Sequence, residues 1–204
     1  MDHPRFTTLR SRVAPLPIDN VDTDQIIPAR YLKVTDKEGL GEGLFSLWRK
    51  RADGTPDPAF VLNRPEHSGA RVLLAGDNFG CGSSREHAAW ALLGGGFSAV
   101  LSTRFADIFR NNSLKNGLLV VEIPAEASRA LFAAVERDPA LEIEVDLPNQ
   151  RVVLPDGAEV AFAVDPFTKH CLLNGVDQLG FLLDQLPSVD RFEARNPARV
   201  DSRV

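Results

Sequence analysis

The most reactive side chains of the sequence are concentrated in one glycine-bearing stretch, residues 78–88, which reads NFGCGSSREHA. Gly80 and Gly82 admit positive φ angles and let the backbone approach a ligand closely. Ser83 and Arg85 follow within an S-x-x-E pattern, which is typical of a helix capping box. The pattern predicts that Ser83 opens a helix. The free N–H groups of that helix and the Arg85 guanidinium are suited to bind a carboxylate or phosphate.

A capping box also has a purely structural interpretation, in which Ser83 only caps the helix and Arg85 is a solvated surface residue. A cap requires neither the paired glycines nor the Ser-Ser-Arg run, and these favour a ligand site. The stretch lacks the third glycine of a dinucleotide motif, the lysine of a P-loop and the G-x-S-x-G turn of an α/β-hydrolase. Cys81, with His87 nearby, leaves a cysteine hydrolase open, although a small loop-filling role is favoured.

A second polar stretch, residues 19–32, reads DNVDTDQIIPARYL. Asp22, Thr23 and Asp24 could bring carboxylates and a hydroxyl to a site, or they could form an Asx turn or a helix cap. A calcium loop is disfavoured because the glycine and the distal glutamate of an EF-hand are missing.

The composition predicts an ordinary soluble globular chain of 204 residues, with 44% hydrophobic residues and a net charge of -5. Without a basic excess or a long apolar run, neither nucleic acid nor a membrane is an expected partner. Two cysteines are too few for an iron–sulfur cluster, and the histidines lack zinc spacing, so no metal is expected on this chain alone. We expect a cytoplasmic protein with reduced thiols.

Strand and helix patterns alternate in the middle of the chain and give way to hairpins. Strands are predicted at 6–13, 71–75, 98–102 and 118–123, helices at 104–116 and 125–137, a β region at 141–164, and two helices within 166–186. The order predicts a mixed α/β domain built in layers. We expect a single domain over residues 1–186 and a fraying, flexible C-terminal tail over 187–204.

With these motifs in hand, the sequence resembles the small subunits of the isopropylmalate dehydratases, which correspond to the swivelling domain of the aconitase superfamily. The resemblance rests on residues 20–28, 78–90, 105–117 and 170–177. It implies a mixed β/β/α swivelling domain and a large-subunit partner, in a heterodimer or higher assembly, that carries a 4Fe-4S cluster. It also implies a hydroxy-dicarboxylate substrate whose hydroxyl moves from C2 to C3 by dehydration and rehydration.

The resemblance further implies roles for individual residues. Ser83 matches the proton-abstracting serine, and Arg85 matches an arginine that binds a substrate carboxylate. Neighbouring active-site positions and the loop that selects the substrate's side group fall on Thr23, Asp24, Ser84, Tyr31, Leu32, Lys33 and Val34.

One departure from the aconitases bears on the substrate. Where aconitases place an arginine for citrate's third carboxylate, this sequence has Val34 and Thr35, which favours an apolar isopropyl group, although Arg30 and Lys33 are close in sequence. Related hydro-lyases acting on homoaconitate, citraconate or alkylmalates remain alternatives. So does a non-catalytic subunit whose Ser83 loop merely binds an anion.

Overall fold

The computed structural model describes residues 4–32, 37 and 39–196. Its centre is a 7-stranded sheet in the order β4-β3-β2-β1-β5-β6-β7. Strands β1 to β4 are mutually parallel, whereas β5, β6 and β7 continue antiparallel from the other edge of β1. The strands are β1 (Thr8–Leu16), β2 (Val72–Ala75), β3 (Ala99–Ser102), β4 (Leu119–Glu122), β5 (Glu142–Asp146), β6 (Arg151–Val153) and β7 (Glu159–Ala161).

Helices connect the parallel strands and cover the sheet. They are α1 (Thr23–Ile26), α2 (Ser46–Arg49), α3 (Glu86–Gly94), α4 (Asp107–Lys115), α5 (Ala125–Arg137), α6 (Pro166–Asn174), α7 (Gln178–Asp184) and α8 (Leu186–Arg195). Short 3₁₀ turns occur at Ala29–Tyr31, Leu40–Gly43, Val61–Asn63 and Pro65–His67. No helix in the described part of the chain is long and apolar enough to cross a bilayer.

The parallel strands are buried on both faces, and each face has its own core. Successive residues of β2 alternate between the two cores, because side chains of a strand point to opposite faces. Leu73 packs with α3 and the aromatic residues of the site loops. Val72 and Leu74 pack with α5, α6 and the antiparallel strands. The predicted layered α/β architecture is therefore confirmed.

Several predicted boundaries shift. The first strand is predicted at 6–13 but spans Thr8–Leu16. It therefore ends just before the polar stretch 19–32. The helix Leu186–Arg195 was not expected within the predicted tail. It begins with a proline near its N-terminus, where a missing N–H costs nothing. The flexibility of residues 187–204 and the domain boundary at 186 stay predictions.

Candidate active site

The candidate site lies where the loops after β1 and β2 meet, beyond the C-terminal ends of the parallel strands. The amides of Gly80 and Cys81 both donate to the carbonyl of Val21, at 2.8 and 3.2 Å, and the amide of Thr23 donates to Cys81 at 2.9 Å. Asp22 and Cys81 thereby form an isolated parallel bridge. The two sequence motifs are joined backbone to backbone, so their side chains are held at one place.

An aromatic cluster of Phe79, Phe105 and Phe109 packs against the glycine loop and fixes its position. The ring of Phe79 packs edge-on against Phe105 and Phe109, with centroids 6.4 and 5.3 Å away. Gly80 has a φ of 78°, and a Cβ at this position would lie 2.2 Å from the Phe109 ring. Glycine is required here for both the conformation and the close approach. The chain then turns outward to Ser83.

The predicted capping box at Ser83 is not present. Helix α3 begins at Glu86, its N-cap residue is Arg85, and no side chain in the described part of the chain caps it. Ser83 is an exposed loop residue, as is Ser84. The two glycines, with φ of 78° and 88°, hold residues 80–82 in a turn that delays the helix. Ser83 therefore keeps its hydroxyl available for chemistry instead of using it as a cap.

The capping box lies instead on the first motif. The Asp22 carboxylate accepts from the Gln25 amide at 2.8 Å, and the Gln25 side chain accepts from the Asp22 amide at 2.9 Å. This cap starts α1 and points the next two residues at the glycine loop. Thr23 donates its hydroxyl hydrogen to the Ser83 carbonyl, and Arg85 forms an ion pair with Asp24.

The structure thus brings together four of the predicted site residues, Thr23, Asp24, Ser83 and Arg85. The Arg85 side chain is 19% exposed and the Asp24 side chain 48%, so the guanidinium is mostly covered while its carboxylate partner is open to solvent. A mostly covered guanidinium has five donors and can bind further anionic oxygens. The arrangement can orient an anionic ligand beside the Ser83 hydroxyl.

Cys81 has a structural contact. Its thiol donates to the carbonyl of Asn20 at 3.3 Å, and this bond helps to join the two loops. Asn20 and Asn78 both adopt φ of 55°, and the Asn78 amide donates to the Asn20 side chain at 2.8 Å. These contacts agree with the loop-filling role and leave the hydrolase interpretation without support.

The chain matches known families over most of its length. A model described as the aconitase C-terminal domain matches residues 3–126, and a model described as LeuD_N matches residues 129–166. A protein of Roseiflexus sp. (strain RS-1) called 3-isopropylmalate dehydratase small subunit is 60% identical over 195 residues, covering 96% of each chain. This chain belongs to the 3-isopropylmalate dehydratase small-subunit family.

Other members are similarly close. The small subunit of Anaeromyxobacter sp. (strain K) is 59% identical over 185 residues, covering 91% of this chain and 95% of its own. A crystal structure titled 3-isopropylmalate dehydratase from Methanocaldococcus jannaschii superposes with a TM-score of 0.65 at 27% identity, covering 90% of this chain and 99% of that one. The family and the fold implied by the resemblance are confirmed.

The residues predicted to select the substrate in this family are only partly described. Tyr31 is half-buried and packs on Gly43, where a Cβ would lie 2.9 Å from its ring. A hydrogen bond with Arg30 lowers the pKa of the Tyr31 hydroxyl, and Ser46 adds to the effect. Leu32 is half-buried as well. Lys33 and Val34 lie outside the described residues, so their predicted role stays a prediction.

One polar residue beside the site is not among the predicted site residues: Asn116, the C-cap of α4. It is 4% exposed, and its amide bonds to Glu86 at the start of α3. A helix is predicted over 104–116, and α4 ends at Lys115 with Asn116 as its C-cap. Nothing in the sequence indicates that the side chain reaches across to α3.

Proposed function

We propose that this chain is the small subunit of a hydro-lyase that isomerises 2-isopropylmalate to 3-isopropylmalate in leucine biosynthesis. Family membership supports the reaction class. The observation that carries the assignment to this site is the convergence of Ser83 and Arg85 with Thr23 and Asp24. The proposed setting is the cytoplasm.

Ser83 is proposed as the base that removes the C3 proton. A serine hydroxyl is a poor base because its pKa lies far above neutrality, so the alkoxide must be stabilised. The dipole of α3 contributes at most about 2 kcal/mol, or between one and two pKa units. Ser83 precedes that helix by three positions, which weakens the contribution further. Arg85 and the exclusion of water by a closing partner must supply the remaining stabilisation of the alkoxide.

Arg85 is proposed to bind a carboxylate of the substrate. Its ion pair with Asp24 fixes the guanidinium before the substrate arrives, so the side chain loses little conformational freedom on binding. Arginine suits this role because its fork matches two carboxylate oxygens at once. Thr23 holds the backbone of Ser83, and Ser84 stands exposed beside them.

The partner is proposed to be a large subunit that carries a 4Fe-4S cluster. Within residues 4–32, 37 and 39–196, no group of three or more His, Cys, Asp or Glu side chains could hold a metal ion. Such a cluster, when bound by the partner, would supply Lewis-acid chemistry for loss of the substrate hydroxyl. This division places the base on one chain and the acid on the other.

Reconstitution tests the proposal directly. The purified chain is mixed with its large subunit, and formation of the unsaturated intermediate from isopropylmalate is followed by absorbance. We expect turnover from the pair and none from either chain alone. Turnover by the small chain alone would overturn the division of labour.

A substrate panel tests the side-group preference. Values of kcat/KM are compared for isopropylmalate, homoaconitate, citraconate and other alkylmalates. We expect isopropylmalate to give the highest value, because the sequence has Val34 and Thr35 where aconitases have an arginine for a third carboxylate. A higher value for homoaconitate would assign the chain to that related hydro-lyase.

A further inference from the structure

The side chain of Asn116 is a fully bonded, buried amide that lies next to the candidate site. Its Oδ1 accepts from the Trp90 indole N–H at 2.6 Å and from the Lys37 ammonium at 3.0 Å. Its Nδ2 donates to Glu86 Oε1 at 2.7 Å and to the Asn112 carbonyl at 2.9 Å. Every donor and acceptor site of the carboxamide is therefore in use.

These contacts also fix which way the amide faces. A flipped Asn116 would turn its hydrogens toward the Trp90 indole and the Lys37 ammonium, which are themselves donors, and its oxygen toward the Glu86 carboxylate. Its oxygen would also face the Asn112 carbonyl, so all four bonds would be lost. The side chain has one orientation, and its partners are held at matching places.

The amide does more than end α4. The backbone N–H of Asn116 already donates to the carbonyls of Asn112 and Ser113, at 3.2 and 3.1 Å, as a helix end requires. The side chain instead reaches α3, where Glu86 and Trp90 lie one turn apart on the same face. Lys37 joins them from another loop, with its Nζ 5.3 Å from the centroid of the Trp90 ring.

The position of Glu86 makes this contact relevant to catalysis. Glu86 is the first residue of α3 and directly follows Arg85, and none of the residues that the structure describes caps α3 with its side chain. Arg85 is held on one side by Asp24 of α1, and the residue after it is held by Asn116. An uncapped helix start frays easily, so a tertiary bond to its first residue determines where the N-cap residue sits.

We propose that Asn116 is a positioning residue for the hydro-lyase reaction. Through Glu86 it holds Arg85 where a substrate carboxylate binds, and through Lys37 it anchors the chain three residues beyond Val34. This inference rests on the proposed role of Arg85. Asn116 touches neither the substrate nor the reacting atoms.

The decisive variant is Asn116→Asp, which keeps the shape and the acceptor oxygen. It replaces the donor to Glu86 with a second carboxylate oxygen, so two carboxylates face each other and Glu86 is pushed away. Because a hydrogen bond to a charged group is lost, we expect KM for isopropylmalate in the reconstituted pair to rise roughly tenfold or more, while kcat changes less.

Glu86→Gln supplies the rescue, because a glutamine amide can donate to the new carboxylate. The double variant Asn116→Asp, Glu86→Gln should return KM to within about threefold of wild type. The second readout is the Nε–H NMR signal of Arg85 in the isolated full-length chain. It should shift in Asn116→Asp and return in the double variant. That signal is measured without turnover, so an inactive wild-type pair would sink the proposed function while the positioning role is still tested.

Glu86→Ala covers the case in which Asn116→Asp does not fold. Glu86 is exposed, so the variant should fold, raise KM and shift the Arg85 signal. Glu126→Ala is the matched control, since Glu126 lies in the first turn of α5 and is also exposed. The proposal is overturned if Asn116→Asp leaves both the Arg85 signal and KM unchanged. If Asn116→Asp does not fold, the same result in Glu86→Ala overturns it. So does a double variant that is not rescued.

Discussion

Thr23 donates its hydroxyl hydrogen to the backbone carbonyl of Ser83 over 3.0 Å. Thr23 is 1% exposed, whereas Ser83 lies in the solvent-exposed part of the loop. A buried residue of α1 thus holds the backbone of an exposed residue in a different loop. The location of the Ser83 hydroxyl therefore depends on the Asp22 cap that starts α1, and not on a cap of α3.

Thr23→Val should test that dependence. Valine has the same shape but donates no hydrogen bond, so the Ser83 carbonyl loses its partner. We expect a loss of about 0.5–1.5 kcal/mol of unfolding free energy and a fall in kcat of the reconstituted pair. Urea unfolding and steady-state kinetics measure the two effects. Thr23→Ser, which retains the hydroxyl, should stay close to wild type, and an undiminished kcat in Thr23→Val would contradict the dependence.

Ser83→Ala separates chemistry from stability. If Ser83 is the base, turnover of the pair should be abolished. Because Ser83 is exposed and does not cap α3, the unfolding free energy should change by less than about 0.5 kcal/mol. Ser84→Ala is the neighbouring control and should keep its stability as well. Activity within about tenfold of wild type would remove Ser83 from the role of base and favour an anion-binding subunit.

Arg85→Lys should weaken substrate binding more than turnover. Lysine keeps the charge but cannot make two parallel hydrogen bonds to a carboxylate, so KM should rise roughly tenfold. Arg10→Lys serves as the control, because Arg10 is an exposed residue near the N-terminal end of β1 that pairs with Glu142 of β5, whereas the site lies beyond the C-terminal end of β1. Steady-state kinetics on both variants with one preparation of the large subunit gives the comparison. Equal KM values for the two variants would argue against a carboxylate at Arg85.

The helices and strands of this fold were predictable where the local sequence pattern agrees with the tertiary packing. The helix Ala125–Arg137 has the predicted limits, since its apolar face repeats clearly and Pro124 sets its start. Strands β2 and β3 were also predictable, because they are fully buried and read as apolar runs. Layering followed from the order of these elements.

The sequence motifs indicate candidate site residues, but they do not indicate how these residues are arranged. The S-x-x-E pattern at Ser83 suggested a cap, yet the positive φ of Gly80 and Gly82 carries the chain past that position before a helix can start. The bond from Thr23 to Ser83 and the one from Asn116 to Glu86 each join residues far apart in sequence. Periodicity and motif spacing carry no information on such pairs.

His67 should make stability depend on pH. It is 8% exposed, and burial lowers the pKa of its imidazole, whose Nδ1 has no hydrogen-bond partner among the described residues. Below the unfolded-state pKa of about 6.5, the unfolded chain binds the proton more readily than the folded one. The stabilisation is therefore complete above that value and is lost as the pH falls through the lower folded-state pKa.

A comparison of two histidine variants measures this dependence. Thermal unfolding is followed between about pH 7.5 and pH 5.5, the range in which histidine titrates. As the pH falls, the Tm of His67→Gln should decrease less than the Tm of the wild-type protein. His170→Gln should follow wild type, because His170 is exposed. Parallel Tm curves for all three proteins would show that burial of His67 does not govern acid sensitivity.

Gly80→Ala tests whether the aromatic cluster fixes the loop. Gly80 and Gly157 have φ of 78° and 83°, so alanine at either position bears a similar backbone strain of about 1–3 kcal/mol. At Gly80 the new Cβ meets the Phe109 ring, whereas at Gly157 no atom of the described residues lies within 4 Å. Urea unfolding should give Gly80→Ala an unfolding free energy about 1–3 kcal/mol below that of Gly157→Ala. Only Gly80→Ala should reduce kcat, since Ser83 moves with the loop. Equal losses would mean that the ring yields and the cluster does not position Ser83.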